Sequence, residues 1–215
     1  MEPVNRVTGR MLPLDRADVD TDQIIPKQFL KRIERTGYGP FLFYGWRQAE
    51  DFVLNKPEHD GASVLVTGAN FGCGSSREHA TWAIRDAGYR AIVAPSFADI
   101  FRANCAKTGL LAVTLTESQV RHLTDLASED PGAEVTVDLE QQEVHGDDFA
   151  YRFEIDAFAR ECLLGGVDEI GLVERHQSSI SAYESRRDAW LPLASPLVGR
   201  SAPLALRARP GGESH

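Results

Sequence analysis

The sequence predicts an α/β fold whose sheet is mostly parallel, with additional antiparallel β-structure. Short, β-rich apolar runs alternate with helical patterns between residues 62 and 127, which favours parallel strands joined by right-handed crossovers. A β-type alternation returns between residues 134 and 155, around a turn-prone segment. The chain has 215 residues, 42% of them hydrophobic and 26% charged, so its composition is that of a globular protein with a sizeable core.

The first predicted strand covers residues 62–67 and leads into a glycine-rich loop at residues 68–74. A helix is predicted to start near Ser76, because small and apolar residues then recur at helical spacing. These residues are Ala80, Ala83, Ile84 and Ala87. Gly88 follows them and is typical of a residue that ends a helix in the left-handed conformation.

The next predicted strand, over residues 90–94, is followed by Ser96, which we expect to cap a helix over residues 97–107. Gly109 is expected to end that helix. A strand over residues 110–115 and a helix over residues 117–127 complete the alternating part of the chain.

The second half of the chain changes its pattern. Residues 134–139 and 149–155 are predicted to form a hairpin-like region around the turn Gly146-Asp147-Asp148. Helices are predicted over residues 157–164, 167–173 and 174–189, with Gly165 and Gly166 as a break.

The composition shifts again near residue 190, so we predict one domain over residues 1–190 and a mobile tail over residues 191–215. The tail contains Pro192, Pro196, Pro203 and Pro210. It carries three arginines and one glutamate, a formal charge of +2. A mobile tail without a function of its own is the simplest interpretation.

Charge and cysteine content exclude several classes of function. The chain has 32 acidic and 23 basic residues, a net charge of −9, so we expect no binding to nucleic acid or to an anionic membrane. It has neither an apolar run of membrane-spanning length nor an apolar stretch at its start, and we expect a cytoplasmic protein. The three cysteines form no close pair, which disfavours a disulfide framework, a zinc site and a [4Fe-4S] cluster held by this chain alone.

The glycine-rich loop is the strongest candidate for a site. Glycines before a helix start let backbone amides point at an anion, although Ser75 and Glu78 also have the spacing of a capping box. The loop lacks the lysine of a phosphate-binding loop, and Arg77 stands where a dinucleotide fingerprint needs glycine. A nucleophile elbow would need glycine at position 78, so a serine hydrolase that uses Ser76 and His79 stays a second possibility.

Two charged clusters precede this loop. Asp18, Asp20 and Asp22 are spaced like calcium ligands, but Gln23 and Phe29 stand where a calcium loop needs glycine and glutamate, so we interpret the segment as a turn. The second cluster consists of Lys27, Lys31, Arg32 and Arg35. It is either a solvated helix face or, together with Arg77, a pocket for carboxylates.

Three motifs carry a resemblance to a known family. They are DTDQIIPKQFL at residues 20–30, NFGCGSSREHA at residues 70–80 and APSFADIF at residues 94–101. In sequence, order and spacing they resemble the small-subunit family of the 3-isopropylmalate dehydratases, and the resemblance extends over residues 4–189.

The resemblance implies a swivelling β/β/α domain of the aconitase C-terminal type on a separate chain. It also implies that this chain binds no metal or other cofactor, since a [4Fe-4S] cluster would belong to a large-subunit partner. The family interconverts 2-isopropylmalate and 3-isopropylmalate, both dicarboxylates, by removing water and adding it back during leucine biosynthesis. A related hydro-lyase acting on homoaconitate or a methylated analogue would share these features, and an interaction module without catalysis is a further alternative.

The same resemblance implies roles for individual residues. Ser75 is expected to be the catalytic base and Arg77 to bind a substrate carboxylate. Ser76 is expected near the substrate, and either Arg32 or Arg35 should be a second carboxylate ligand. Loop support is expected from Gly72, Gly74, Glu78 and His79, and a nucleophilic role of Cys73 is disfavoured.

Overall fold

One sheet organises the part of the chain that the computed structural model describes: residues 1–187 without 32, 33, 35, 75, 76, 168–170, 172, 174 and 175. Its seven strands are β1 (Arg6–Leu14), β2 (Val64–Thr67), β3 (Ala91–Ala94), β4 (Leu111–Thr114), β5 (Glu134–Asp138), β6 (Glu143–His145) and β7 (Ala150–Arg152). The strand order across the sheet is β4-β3-β2-β1-β5-β6-β7.

Helices connect and flank these strands. They are α1 (Thr21–Ile24), α2 (Glu78–Asp86), α3 (Asp99–Thr108), α4 (Glu117–Glu129) and α5 (Ala157–Gly165), with α6 (Gln177–Glu184) in a separate unit that starts at His176. Short 3₁₀ turns lie at Lys27–Lys31, Gly39–Phe41, Trp46–Gln48, Val53–Asn55 and Pro57–His59. None of the helices described here is long and apolar enough to cross a membrane.

The sheet has a parallel half and an antiparallel half, which confirms the predicted fold class. Strands β1 to β4 run parallel, and β5, β6 and β7 pair antiparallel. The two halves meet in β1, whose first part pairs with β5 and whose last four residues, from Met11 to Leu14, pair with β2. The crossovers between the parallel strands contain α2 and α3, as the alternating pattern predicts.

The core lies on both faces of the sheet, because successive residues of a strand point to opposite faces. Leu65 belongs to one buried cluster, which also contains residues of α2 and α3. Its neighbours Val64 and Val66 belong to a second cluster with residues of α4 and α5. The sheet is therefore the middle of three layers.

Two strands were not predicted. β1 contains Gly9 and Pro13, which break the β pattern of the sequence. Pro13 has no N–H to donate, but it lies in the part of β1 that pairs only with β2. The second missed strand, β6, lies between the two segments that were predicted to form a hairpin, and the true hairpin joins β6 to β7 around residues 146–148.

Helix ends were predicted with mixed success. Gly109 ends α3 in the left-handed conformation, as predicted. Gly166 adopts the same conformation at the end of α5, where only a break was expected. Ser96 is not the cap of α3: that position belongs to Ala98, and the Ser96 hydroxyl accepts the Asn70 N–H instead, at 2.8 Å. Arg77 is the cap residue of α2, so the capping box between Ser75 and Glu78 was wrong.

The C-terminal predictions extend beyond the described residues. The helix predicted over residues 174–189 is observed as α6 between Gln177 and Glu184, while most of the segment 167–173 is not described. The tail predicted at residues 191–215 also lies outside the described residues, so it stays a prediction.

Candidate functional site

The glycine-rich loop follows β2 at the carboxyl edge of the parallel strands, where ligands of open α/β sheets commonly bind. On one side it is paired with the segment before α1. The Gly72 and Cys73 amides donate to the Val19 carbonyl at 2.8 and 3.1 Å, and the Thr21 amide donates to the Cys73 carbonyl at 3.0 Å. The loop and the aspartate-rich segment therefore form one hydrogen-bonded unit.

The other side of the loop is paired with the segment before α3. The Phe71 amide donates to the Ser96 carbonyl at 3.1 Å, and the Ala98 amide donates to the Phe71 carbonyl at 3.0 Å. The three motifs that carry the family resemblance thus meet at a single place. Their separation in the sequence is bridged by backbone hydrogen bonds, with the loop in the middle.

Two loop positions require glycine. Gly72 and Gly74 have φ angles of +78° and +81°, a region that other residues rarely adopt. A methyl group at Gly72 would overlap the ring of Phe101, and one at Gly74 would overlap the carboxylate of Asp20. These glycines permit the close packing that holds the loop, which fits the supporting role expected of them.

Asp20 is a helix cap. Its Oδ1 accepts the Asp22 N–H at 2.6 Å, and its own N–H donates to Oε1 of Gln23 at 2.9 Å, a reciprocal capping box at the start of α1. The turn predicted for this segment is therefore a capped single turn of helix. Because the Asp20 carboxylate also lies against Gly74, the same side chain joins α1 to the loop.

Arg77 is paired with Asp22, a residue predicted only as part of a turn. Its Nη1 donates to Oδ1 of Asp22 and its Nη2 to Oδ2 at 3.4 Å, so both terminal nitrogens face one carboxylate. The Arg77 side chain is 22% exposed and that of Asp22 is 48% exposed. The Arg77 guanidinium thus binds a carboxylate of the protein through two nitrogens, and it could bind a carboxylate of a substrate in the same way.

Glu78 and His79 are the first two residues of helix α2, which starts two residues later than the position predicted near Ser76. The Glu78 carbonyl accepts the Thr81 hydroxyl at 2.8 Å, and its side chain is exposed. The His79 ring lies 5.4 Å from the ring of Tyr38 and 4.7 Å from that of Trp82, between centroids. Burial lowers the pKa of His79, so near neutral pH the ring is an uncharged packing group.

Cys73 is not activated as a nucleophile. Partial burial raises the pKa of its thiol, and the carboxylates of Asp20 and Asp18 raise it further. At neutral pH the side chain is therefore a thiol. This agrees with the expectation that Cys73 has no nucleophilic role.

Four of the residues expected at the site lie outside the described residues: Ser75, Ser76, Arg32 and Arg35. Lys27 and Lys31, which belong to the same basic cluster as Arg32 and Arg35, are exposed on a 3₁₀ turn. In the described part of the chain, no group of three or more histidine, cysteine, aspartate or glutamate side chains is arranged to hold a metal ion.

Known proteins resemble this chain in both sequence and structure. A family profile described as the aconitase C-terminal domain matches residues 1–118, and one described as LeuD_N matches residues 121–157. The chain is 57% identical over 192 residues to the 3-isopropylmalate dehydratase small subunit of Rubrobacter xylanophilus, covering 89% of this chain and 98% of the relative. It is 52% identical over 194 residues to the protein of the same name from Frankia alni, covering 90% and 100%.

A solved structure supports the same relationship. The crystal structure of 3-isopropylmalate dehydratase (leuD) from Methanocaldococcus jannaschii matches with a TM-score of 0.61 and 30% sequence identity. The match covers 82% of this chain and 99% of that chain.

Proposed function

The chain belongs to the family of 3-isopropylmalate dehydratase small subunits, and we propose that it is the small subunit of such a hydro-lyase in leucine biosynthesis. The reaction would isomerise 2-isopropylmalate to 3-isopropylmalate by removing water and adding it back at the neighbouring carbon. The chain would do this together with a large subunit, as the name of its relatives implies.

The observation that carries this proposal is the position of the Arg77 guanidinium. Arg77 lies three residues after Gly74, at the N-cap of α2, and its guanidinium already holds a carboxylate through both terminal nitrogens. A dicarboxylate substrate offers the same chemical group. We therefore assign Arg77 to one carboxylate of the substrate, and Arg32 or Arg35 to the other.

Ser75 is proposed as the base that removes the proton next to a substrate carboxylate. It lies in the two-residue step between Gly74 and Arg77, both of which are held by the aspartates of the α1 segment. A serine hydroxyl is a weak acid, so the alkoxide needs backbone amides or a cation, each of which stabilises an oxyanion by about 3 kcal/mol. Gly72, Gly74, Glu78 and His79 are proposed to keep the loop in this arrangement, and Ser76 is proposed to lie near the substrate.

The partner completes the site in this proposal. A [4Fe-4S] cluster on the large subunit would supply the Lewis acid for the departing hydroxyl group. The residues of this chain would bind the two carboxylates and hold the base. They would also shield from water the substrate proton that the base removes. We place the assembled enzyme in the cytoplasm.

A reconstitution with an iron–sulfur large subunit tests the proposal. The chain and its Ser75→Ala variant are assayed alone and with the large subunit on 2-isopropylmalate, homoaconitate and a simple ester. We expect turnover of 2-isopropylmalate only in the assembled wild type. The Ser75→Ala assembly should lose a factor of about 10²–10⁴ in kcat, the usual contribution of a positioned base.

The matched control is Ser128→Ala, which removes the hydroxyl of an exposed serine on α4 that donates to the Thr124 carbonyl. This variant should assemble and turn over substrate like the wild type. Near wild-type activity of Ser75→Ala, with assembly confirmed by size-exclusion chromatography, would reject the assignment of the base. Ester cleavage by the chain alone would instead favour the serine hydrolase, and preferred turnover of homoaconitate would change the substrate.

A further inference from the structure

A second cavity, separate from the glycine-loop site, lies at the end of α2 opposite Arg77. Its volume is about 500 Å³, within the range of small-molecule sites. Leu12, His59, Ala62 and Tyr89 form its buried floor, each at most 7% exposed. Because α2 rises about 1.5 Å per residue over nine residues, this cavity is separated from the glycine loop by roughly the length of the helix.

Two side chains on the floor, His59 and Tyr89, carry polar groups, and buried polar groups normally make hydrogen bonds. The Nδ1 atom of His59 is buried and has no partner among the described residues, while the His59 ring interacts with the Met11 backbone. The hydroxyl of Tyr89, a residue 5% exposed, makes no hydrogen bond to another described residue. Burial lowers the pKa of His59 and raises that of Tyr89, so the two groups are a neutral imidazole and a protonated phenol. The Nδ1 atom of His59 is covered, so the Tyr89 hydroxyl is the group that offers a hydrogen bond to an occupant of the cavity.

The guanidinium of Arg47 lines the same cavity. The Nε of Arg47 donates to Oδ1 of Asn55 at 3.3 Å, while its two terminal nitrogens have no partner in the described part of the chain. Burial raises the pKa of Tyr89, and the nearby positive charge of Arg47 opposes that rise. A planar guanidinium with two free terminal nitrogens is suited to a carboxylate.

The rim of the cavity is negatively charged, in contrast to Arg47. Asp60 and Asp86 are exposed there. The Asp60 carboxylate has no partner among the residues described, whereas Oδ2 of Asp86 accepts the Tyr38 N–H at 2.9 Å. Asp86 is the last residue of α2, and the carboxyl end of a helix carries partial negative charge. These groups favour an ammonium, and they would repel a dicarboxylate.

We propose that this cavity binds a zwitterionic α-amino acid with an aliphatic side chain. The carboxylate pairs with Arg47 and the Tyr89 hydroxyl, the ammonium faces Asp60 and Asp86, and the side chain covers Leu12 and Ala62. A simple amine would leave Arg47 unpaired, and a simple carboxylate would leave the acidic rim unpaired. The site is independent of the hydro-lyase reaction and needs no partner chain.

Calorimetric titration of the full 215-residue chain with L-leucine tests the proposal. We expect one site per chain, with binding about tenfold or more weaker for 4-methylpentanoate and for 3-methylbutylamine, each of which lacks one of the two charges. Arg47→Gln should weaken L-leucine binding by about tenfold or more. Tyr89→Phe, which keeps the buried ring and removes only the hydroxyl, should weaken it by a smaller factor.

The matched control is Arg121→Gln, which removes an exposed positive charge from α4 on the other face of the sheet and should leave L-leucine binding unchanged. Thermal unfolding of each variant shows whether it is folded. The absence of binding heat at millimolar L-leucine would overturn the proposal. Equal binding of all three ligands, or L-leucine binding that survives both Arg47→Gln and Tyr89→Phe, would overturn it as well.

Discussion

Asp20 and Gly74 are the pair of residues on which the geometry of the glycine loop depends. Asp20 caps α1 with its carboxylate, and that carboxylate lies where a side chain at position 74 would begin. The adjoining residue pair, Asp22 and Arg77, links the same two segments by charge. A change at Gly74 therefore disturbs both the cap of α1 and the orientation of Arg77.

Gly74→Ala should destabilise the chain by roughly 2–5 kcal/mol, because alanine is strained at positive φ and its methyl group would overlap the Asp20 carboxylate. Urea denaturation measures this loss. Gly88→Ala is the matched control, since Gly88 has a φ of +105° but no atom within 4 Å of an added methyl group. That variant should lose only about 1 kcal/mol, and equal losses in the two variants would contradict a role for the overlap.

At the level of residues, the position of the glycine loop can be predicted from the sequence, but the residues that it contacts cannot. The positive φ angles of Gly72 and Gly74 agree with what glycines before a helix predict. The pair of Asp22 and Arg77 could not be predicted, because 55 residues separate the two in sequence and spacing contains no signal for it. The Asn70 amide similarly uses the Ser96 hydroxyl that local rules assign to a helix cap.

Among the secondary-structure elements, β1 has the most demanding position, since it joins the parallel and antiparallel halves of the sheet. A side-chain pair reinforces its contact with β5. Nε and Nη2 of Arg6 donate to Oδ2 of Asp138 at 3.0 and 2.6 Å, and the Asp138 side chain is only 5% exposed. The Gln141 N–H donates to the other oxygen of this carboxylate at 2.8 Å.

The stability of this junction should depend on pH. Burial alone would raise the pKa of Asp138, but the hydrogen bonds from Gln141 and Arg6 outweigh it and lower that pKa below the ordinary value of 3.8. A lowered folded-state pKa stabilises the fold above the unfolded value, and this stabilisation disappears as the pH falls through the folded value. Asp138→Asn should therefore cost about 1–2 kcal/mol at pH 7 and progressively less below about pH 4.

Urea denaturation of the wild type and the variant between pH 7 and pH 3 measures this difference. Glu134→Gln changes an exposed acid on the same strand and serves as the control, with an expected effect within about 0.5 kcal/mol. A difference between wild type and Asp138→Asn that stays constant down to pH 3 would contradict a stabilising role of the charged carboxylate.

Sequence patterns predict elements well where local chemistry decides. Helix α4 begins at a genuine capping box between Thr116 and Gln119, and α3 ends at a left-handed Gly109. They fail where tertiary pairing decides. The strand character of β1 comes from its two partners on either side, which allow a glycine and a proline within it.

At the scale of the whole molecule, the parallel sheet gathers residues that are distant in sequence. The segments before α1, α2 and α3 meet at one edge, which is why three motifs so far apart can form one site. Helix α2 carries Arg77 at its first end and Asp86 at its last. The positive end of the helix dipole lies at the proposed catalytic site, where a dicarboxylate would bind. The negative end lies at the second cavity, where an ammonium would bind.

The last prediction concerns residues 191–215. The Frankia alni relative is matched over 100% of its own length while it covers 90% of this chain, so about a tenth of this chain has no counterpart in that protein. The family resemblance ends near residue 189, which places the additional residues in the C-terminal segment. A chain ending at Trp190 should therefore assemble with the large subunit and turn over 2-isopropylmalate with unchanged kcat and KM.

A chain ending at Ile155 is the contrasting truncation, because it removes α5 and with it Leu163, which is 1% exposed in the core beside the sheet. Deleting such a helix exposes apolar surface that contributes about 25 cal/mol per Å² when buried, so this variant should fail to fold cooperatively. Size-exclusion chromatography with the large subunit and steady-state kinetics compare the two truncations with the full chain. Loss of assembly or a raised KM on removal of residues 191–215 would show that the segment contributes to the enzyme and is not a dispensable addition.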